Sequence, residues 1–117
     1  LTGRDRERQL QEGSRFTLGN NSGKMYQKRY WNEAVFDEVG RLGGYFAGRG
    51  MNLAQVALAW VLMQDGITSA IVGASKAEQL RNSLGRLDLT LDEEAIAACD
   101  AAWFNLPRER DPQVARR

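Results

Sequence analysis

No histidine occurs anywhere in the 117 residues. Its absence excludes Ser-His and Cys-His nucleophilic pairs, His-ligated zinc and the most common general base. Cysteine is present once, as Cys99, so an intrachain disulfide and a Cys-rich metal centre are both excluded. A reducing cytoplasm is the default expectation for a chain this poor in cysteine. An excess of one charge is missing as well: 16 Lys and Arg against 15 Asp and Glu leave a net charge of +1. A binder of nucleic acid or of an acidic membrane surface would show a clear basic excess, so neither partner is expected. No apolar run approaches the roughly 18 residues of a membrane span. Residues 1–15 are too charged and polar for a secretory signal. What is there, 43% apolar and 26% charged residues, is the ordinary makeup of one globular domain. The chain begins at Leu1 without a methionine, which fits either processing or a piece of something longer.

Residues 1–32 read as a loop. The stretch 18–24 (LGNNSGK) is rich in turn formers, and 4–8 alternates charge without an apolar period. A loop of that length is usually functional or disordered. A helical hairpin is expected over 33–65. Val35, Phe36, Val39, Leu42, Gly43 and Phe46 fall on one stripe at three- and four-residue spacing. Gly43, Gly44 and Gly48 weaken that helix and leave room for a close neighbour, and Gly50 suits the left-handed position after its end. Asn52 caps the second helix, with Gln55 three residues on in a capping-box pattern, and Gly66 is its stop. The run 69–72 (SAIV) is too short for a helix and reads as a buried strand. Ser75 and Glu78 (S-x-x-E) open a helix over 76–85, with Leu80 and Leu84 on its inner face. Asp92, Glu93 and Glu94 open a last helix over 92–103, their carboxylates favoured at its positive end. Ile96, Cys99 and Trp103 mark its apolar side, and Trp60, Trp103 and Cys99 are expected in the core. The tail 107–117 is polar. One strand cannot make a sheet, so parallel neighbours must come from elsewhere.

The chemistry concentrates in 70–84 (AIVGASKAEQLRNSL). Gly73 lets a ligand approach the backbone, Ser75 offers a hydroxyl and Lys76 a positive charge. The unpaired N–H groups of the following helix carry partial positive charge. Together they make a candidate phosphate site. Gln79 and Asn82 lie on the same helical face, where their amides would hydrogen-bond a base edge. Taken alone, a strand-Gly-Ser-helix junction is common. From local features alone, Ser75 acting only as a cap among solvated polar neighbours is the simpler account.

The order of the motifs LAQVALAWVL, IVGAS, EQLRNSL and LTLDEE resembles the C-terminal segment of the aldo-keto reductases. The branch is the one with the voltage-gated potassium channel beta subunits and bacterial aldehyde reductases. LTGR and EGSR, near the start, fit the same branch. The resemblance covers nearly all of residues 1–103. It implies an α/β fold, the C-terminal third of a (β/α)8 TIM barrel, mostly helical in this portion. It also implies NADP as cofactor. Barrel enzymes place their sites on the loops after the strands, which puts 1–32 and the Gly73–Ser75 turn at one face. By position, Gly73 and Ser75 resemble the family's contacts to the adenosine 2′-phosphate, and Gln79 a contact to the adenosine part. Asn82 and Ser83 stand where the family often has Glu-Asn, so adenine recognition there departs from the pattern. Lys76 would strengthen phosphate binding and favour NADP over NAD. Arg4, where the family has Lys, and Arg15, on the family's Ser-Arg, would reach the cofactor's phosphates.

The family's proton-donating Tyr, and the Lys, Asp and His that assist it, lie upstream of this segment, so no catalytic residue is expected here. Tyr26, Tyr30 and Tyr45 do not match the catalytic motif. The implied function is the NADP-binding portion of a reductase that passes hydride from NADPH to a small aldehyde or ketone, inactive without the missing N-terminal barrel segment. Two alternatives stand beside it: a non-catalytic NADPH-sensing subunit like the channel beta subunits, and a plain helical interaction domain.

Overall fold

Among the described residues, three of the five helices begin on a side chain that accepts a hydrogen bond from their own first turn. The computed structural model describes residue 19 and residues 21–106. Its helices are α1 (Asn21–Tyr30), α2 (Glu33–Gly48), α3 (Leu53–Leu62), α4 (Ala77–Leu84) and α5 (Glu93–Asn105). Asn32 caps α2 by accepting from the Val35 N–H at 3.0 Å. Asn52 caps α3 through the N–H of Ala54 at 2.9 Å, and Asp92 caps α5 through that of Ala95 at 2.8 Å. Each cap satisfies a donor the helix leaves unpaired, worth about 1 kcal/mol. Gly50 (φ 68°) and Gly66 (φ 84°) take the left-handed backbone that turns the chain out of α2 and away from α3.

The core lies between α2, α3 and α5. Leu42 and Phe46, one turn apart on α2, meet Val56 of α3 and Ala95, Cys99 and Ala102 of α5, with Leu91 closing one end. The α5 residues recur at four and three positions, so one stripe of that helix is small and lets α2 come close. Polar pins hold the rim. The Trp60 indole N–H donates to Asp100 at 2.8 Å, and its ring lies 5.9 Å from that of Trp103. Arg49, in the turn after α2, pairs with Asp92 and with Glu94 at the start of α5, and donates to the Tyr45 hydroxyl at 2.8 Å.

Helix α4 rests on α3 through a longer reach. The Gln55 side-chain N–H₂ donates to the Asn82 carbonyl at 2.7 Å and to Asn82 Oδ1 at 3.2 Å. The Asn82 carbonyl belongs to the last turn of α4, which has no following turn to bond to. Gln55 therefore serves α4 rather than closing a capping box on Asn52.

Several expectations are corrected. The stretch 1–32 is not loop throughout, because α1 occupies Asn21–Tyr30; Tyr26 and Tyr30, four apart, stack at 6.2 Å across its face. The run 69–72 forms no strand. Residues 67–74 are irregular, and no backbone of the described residues bonds to 68–74. A strand exists only by pairing with a neighbour, and Ile71, meant to be buried, is 102% exposed. The α4 helix is capped by Lys76, not Ser75, and that cap makes no side-chain bond. Leu80 and Leu84 are 39% and 42% exposed, and Trp103 is 51% exposed, so these three lie outside the core. Room for close packing at Gly43, Gly44 and Gly48 is not used: a Cβ would meet Leu53 at 3.9 Å at Gly43 and nothing within 4 Å at the other two. The tail 107–117 lies outside the described residues.

Candidate functional site

The junction from residue 73 into α4 is exposed along its length. Gly73, Ser75, Lys76, Gln79 and Asn82 are all exposed, and Ser83 is half-buried. Lys76 holds an extended backbone (φ −135°, ψ 143°), which swings the chain from the irregular 67–74 stretch into the helix. With no side-chain cap bond at Lys76, the N–H groups of Ala77 and Glu78 have no partner among the described residues and keep their partial positive charge, while the Gln79 N–H donates to the Lys76 carbonyl at 3.1 Å. Glu78 is the acidic residue of that turn.

Ser75 is nevertheless engaged. Gln79 Oε1 accepts from the Ser75 N–H at 3.1 Å and from the Ser75 hydroxyl at 3.0 Å. Gln79 is the third residue of α4, the position from which Glu or Gln reaches back in a capping box. Because the cap has moved to Lys76, the reach passes the cap and lands one residue earlier. The sequence pattern S-x-x-E thus builds a different motif from the one its spacing predicts, with Gln79 in place of Glu78.

Asn82 is oriented by its neighbour on α3. A backbone carbonyl only accepts, so the Gln55 group 2.7 Å from the Asn82 carbonyl is the N–H₂. The same nitrogen lies 3.2 Å from the Asn82 side chain, which fixes the atom there as Oδ1. The Asn82 carboxamide thereby keeps its Nδ2 donors for other partners. Gln55 is the member of this cluster that the sequence did not disclose. It lies 27 residues from Asn82, and nothing in the local pattern of α3 marks a contact at that separation.

Ser75 and Gln79 are therefore joined directly, and Asn82 and Ser83 follow one turn further along α4. Arg4 and Arg15 lie outside the described residues. Among the described residues no group of three His, Cys, Asp or Glu side chains gathers to hold a metal. No helix among them is long and apolar enough to cross a membrane. Donors predominate at the junction: the N–H and hydroxyl of Ser75, both engaged by Gln79 Oε1, the N–H groups of Ala77 and Glu78, and the Lys76 ammonium. Such a set fits an anion with several acceptor oxygens, a phosphate above all.

Comparison with known proteins gives a consistent set of relatives. The model of the aldo/keto reductase family matches residues 2–103. The chain is 34% identical over 92 residues to the L-glyceraldehyde 3-phosphate reductase of Escherichia coli O157:H7, covering 78% of the chain and 27% of that protein. It is 32% identical over 97 residues to an aldo-keto reductase of Pseudocercospora fijiensis, covering 78% of the chain and 32% of that protein. The L-glyceraldehyde 3-phosphate reductase of Escherichia coli K12 is 32% identical over 92 residues, with 78% and 27% covered. The chain thus spans about a third or less of the length of these relatives. No solved structure matches it.

Proposed function

The chain belongs to the aldo/keto reductase family, and from that premise we propose that it carries the part of an NADPH-dependent reductase that holds the adenosine-phosphate half of the cofactor. Membership sets the fold class as α/β, a (β/α)8 barrel of which this mostly helical chain is a C-terminal portion. A nicotinamide cofactor is typical of the family. The observation that carries the finer reading is the donor set at the start of α4: Ser75, Lys76 and a first turn whose cap residue makes no side-chain bond.

In this reading Ser75 binds the adenosine 2′-phosphate through its hydroxyl and N–H, and Lys76 neutralises part of its charge. Gly73, without a side chain, leaves the backbone open to the same phosphate. Gln79, Asn82 and Ser83 line the adenosine further along α4, and Arg4 and Arg15 reach the remaining phosphates. The bound nicotinamide supplies hydride to the carbonyl carbon of a small aldehyde or ketone. No residue of this chain is assigned to proton transfer, so the chain by itself turns over no carbonyl. Its partner is the rest of the barrel. Two observations support that: Ile71 is fully exposed, and 68–74 has no backbone partner among the described residues. A neighbouring parallel strand would satisfy both.

The test is Lys76→Ala in the intact reductase, because the Lys76 side chain makes no cap bond and, being exposed, packs in no core. NADPH and NADH affinities are titrated by protein fluorescence at one salt concentration. A charge-assisted contact of this kind is worth up to about ten- to hundredfold in affinity. NADPH binding weakens toward that limit, less at higher salt, while NADH binding stays as it was. Equal losses for both cofactors, or none, would remove Lys76 from the phosphate site.

A further inference from the structure

The two donors assigned to the phosphate are already taken. One atom, Gln79 Oε1, accepts from both the Ser75 N–H (3.1 Å) and the Ser75 hydroxyl (3.0 Å). A carboxamide oxygen held by two donors in this way occupies the position of a phosphate oxygen held by the same two donors. We propose that Gln79 is an internal stand-in for the phosphate, which occupies Ser75 in the free protein and must leave it before the phosphate enters. The proposal rests on the reading of Ser75 as a phosphate contact and adds a competitor to it.

The contact runs from the third residue of α4 back past the cap to Ser75 and is made by the Gln79 side chain, so Gln79 leaves by a side-chain rotation with no movement of the backbone. The cap residue Lys76 makes no side-chain bond, so Gln79 is the side chain that orders this end of α4 in the free state. Both partners are exposed, so the released carboxamide is hydrated at little cost. A dianion receiving the same two hydrogen bonds gains charge assistance that the neutral amide lacks. The exchange therefore favours phosphate, with an affinity reduced by the fraction of time Gln79 is in place.

The roles of competitor and adenosine contact separate with a probe that has no adenosine. The intact protein is labelled with 15N-serine, and inorganic phosphate is titrated while the Ser75 amide is followed by NMR. In Gln79→Ala the Ser75 amide of the free protein exchanges with solvent faster, and phosphate binds roughly threefold to tenfold tighter. In Gln79→Glu the carboxylate takes the same donors and repels the dianion, so phosphate binds weaker than in the parent. NADP+ moves the Ser75 amide in the parent protein. Phosphate affinity unchanged or weakened in Gln79→Ala, with NADP+ still shifting Ser75, overturns the stand-in and leaves the site intact. A Ser75 amide that neither NADP+ nor phosphate moves, in the parent or in Gln79→Ala, overturns the site and the stand-in with it.

Discussion

Phe46 is the most demanding residue of the core, and Phe46→Ala measures whether that core is packed. Its side chain is fully buried, at 0% exposure, and it sits edge-on to Tyr45 with ring centroids 5.0 Å apart. The substitution removes the ring and little else. Alanine is the best helix former. The Phe46 carbonyl, which accepts from the N–H of Arg49 at 3.1 Å and of Met51 at 2.9 Å, is retained. The turn between α2 and α3 therefore survives, and the cost is one of packing. Truncating a buried Phe to Ala costs about 3–5 kcal/mol, part of it lost transfer energy and part the cavity left behind. Domains hold a total of only about 0.05–0.15 kcal/mol per residue. With seven buried apolar side chains among the described residues and a fully exposed Ile71, the chain belongs at the low end of that range, so one side chain accounts for a large part of it. Urea unfolding, followed by tryptophan fluorescence and by far-ultraviolet circular dichroism, reads the loss as a lower midpoint. The Trp60–Trp103 pair makes the fluorescence sensitive to the α3–α5 contact. A loss below about 1 kcal/mol, with an unchanged denaturant slope, would refute the picture of a packed three-helix core.

Two further outcomes follow from the electrostatics. The Glu38 carboxyl is held below its ordinary value chiefly by the hydrogen bonds from Arg41, opposed by desolvation and aided by Asn105 at the end of α5 and by the Arg41 charge. A carboxylate lowered on folding stabilises above its unfolded pKa, and that contribution is lost as pH falls through the folded one. Glu38→Gln should thus cost about 0.2–1 kcal/mol at neutral pH and nothing in strong acid. Equal costs by denaturant titration at both pH values would exclude the ion pair as the cause. The Cys99 thiol is pushed up by burial and by the Asp100 charge. It should react with Ellman's reagent only slowly in the native protein at neutral pH and at once in denaturant; rapid native labelling would place Cys99 at the surface.

What was legible in the sequence was local or periodic. The caps at Asn52 and Asp92 follow from a polar side chain placed just ahead of an apolar period, and Leu42 and Phe46 follow from the period itself. Cys99 was legible from its place on the apolar side of α5, although its buried stripe partners are Ala95 and Ala102 rather than Trp103. The misreadings share a cause of another kind. Leu80, Leu84 and Trp103 have the right spacing for an inner face, but spacing says only that a face exists, not that anything lies against it. The α1 helix was hidden because its residues are polar, with no apolar stripe to announce it. At the site, the residue types and their order were readable, but the motif they build was not. Choosing between Ser75 and Lys76 as the cap depends on where the chain leaves its extended conformation, and a one-residue shift there hands the back-bond from Glu78 to Gln79.

The stretch 67–74 has the sequence of a strand without the partner a strand needs. Its composition is that of a buried strand: uncharged, with β-branched Ile67, Ile71 and Val72 bounded by Gly66 and Gly73. Composition determines what a segment is able to bury, whereas a strand forms only when another segment offers N–H and C=O groups in register. Among the described residues no such segment is present, so the same sequence stays irregular and exposes Ile71. The helices escape this dependence because each satisfies its own backbone and needs its neighbours only for packing. That asymmetry explains how α2, α3 and α5 close a small core while the strand-forming piece beside them does not pair. It also bears on the site. Ser75 and Lys76 lie immediately after this unpaired stretch, so the direction of their donors depends on what holds 67–74. Under the barrel reading, a neighbouring strand that pairs with 69–72 would both bury Ile71 and aim the donors of α4 at the cofactor. Assembly of the barrel and formation of the phosphate site are then a single event rather than two.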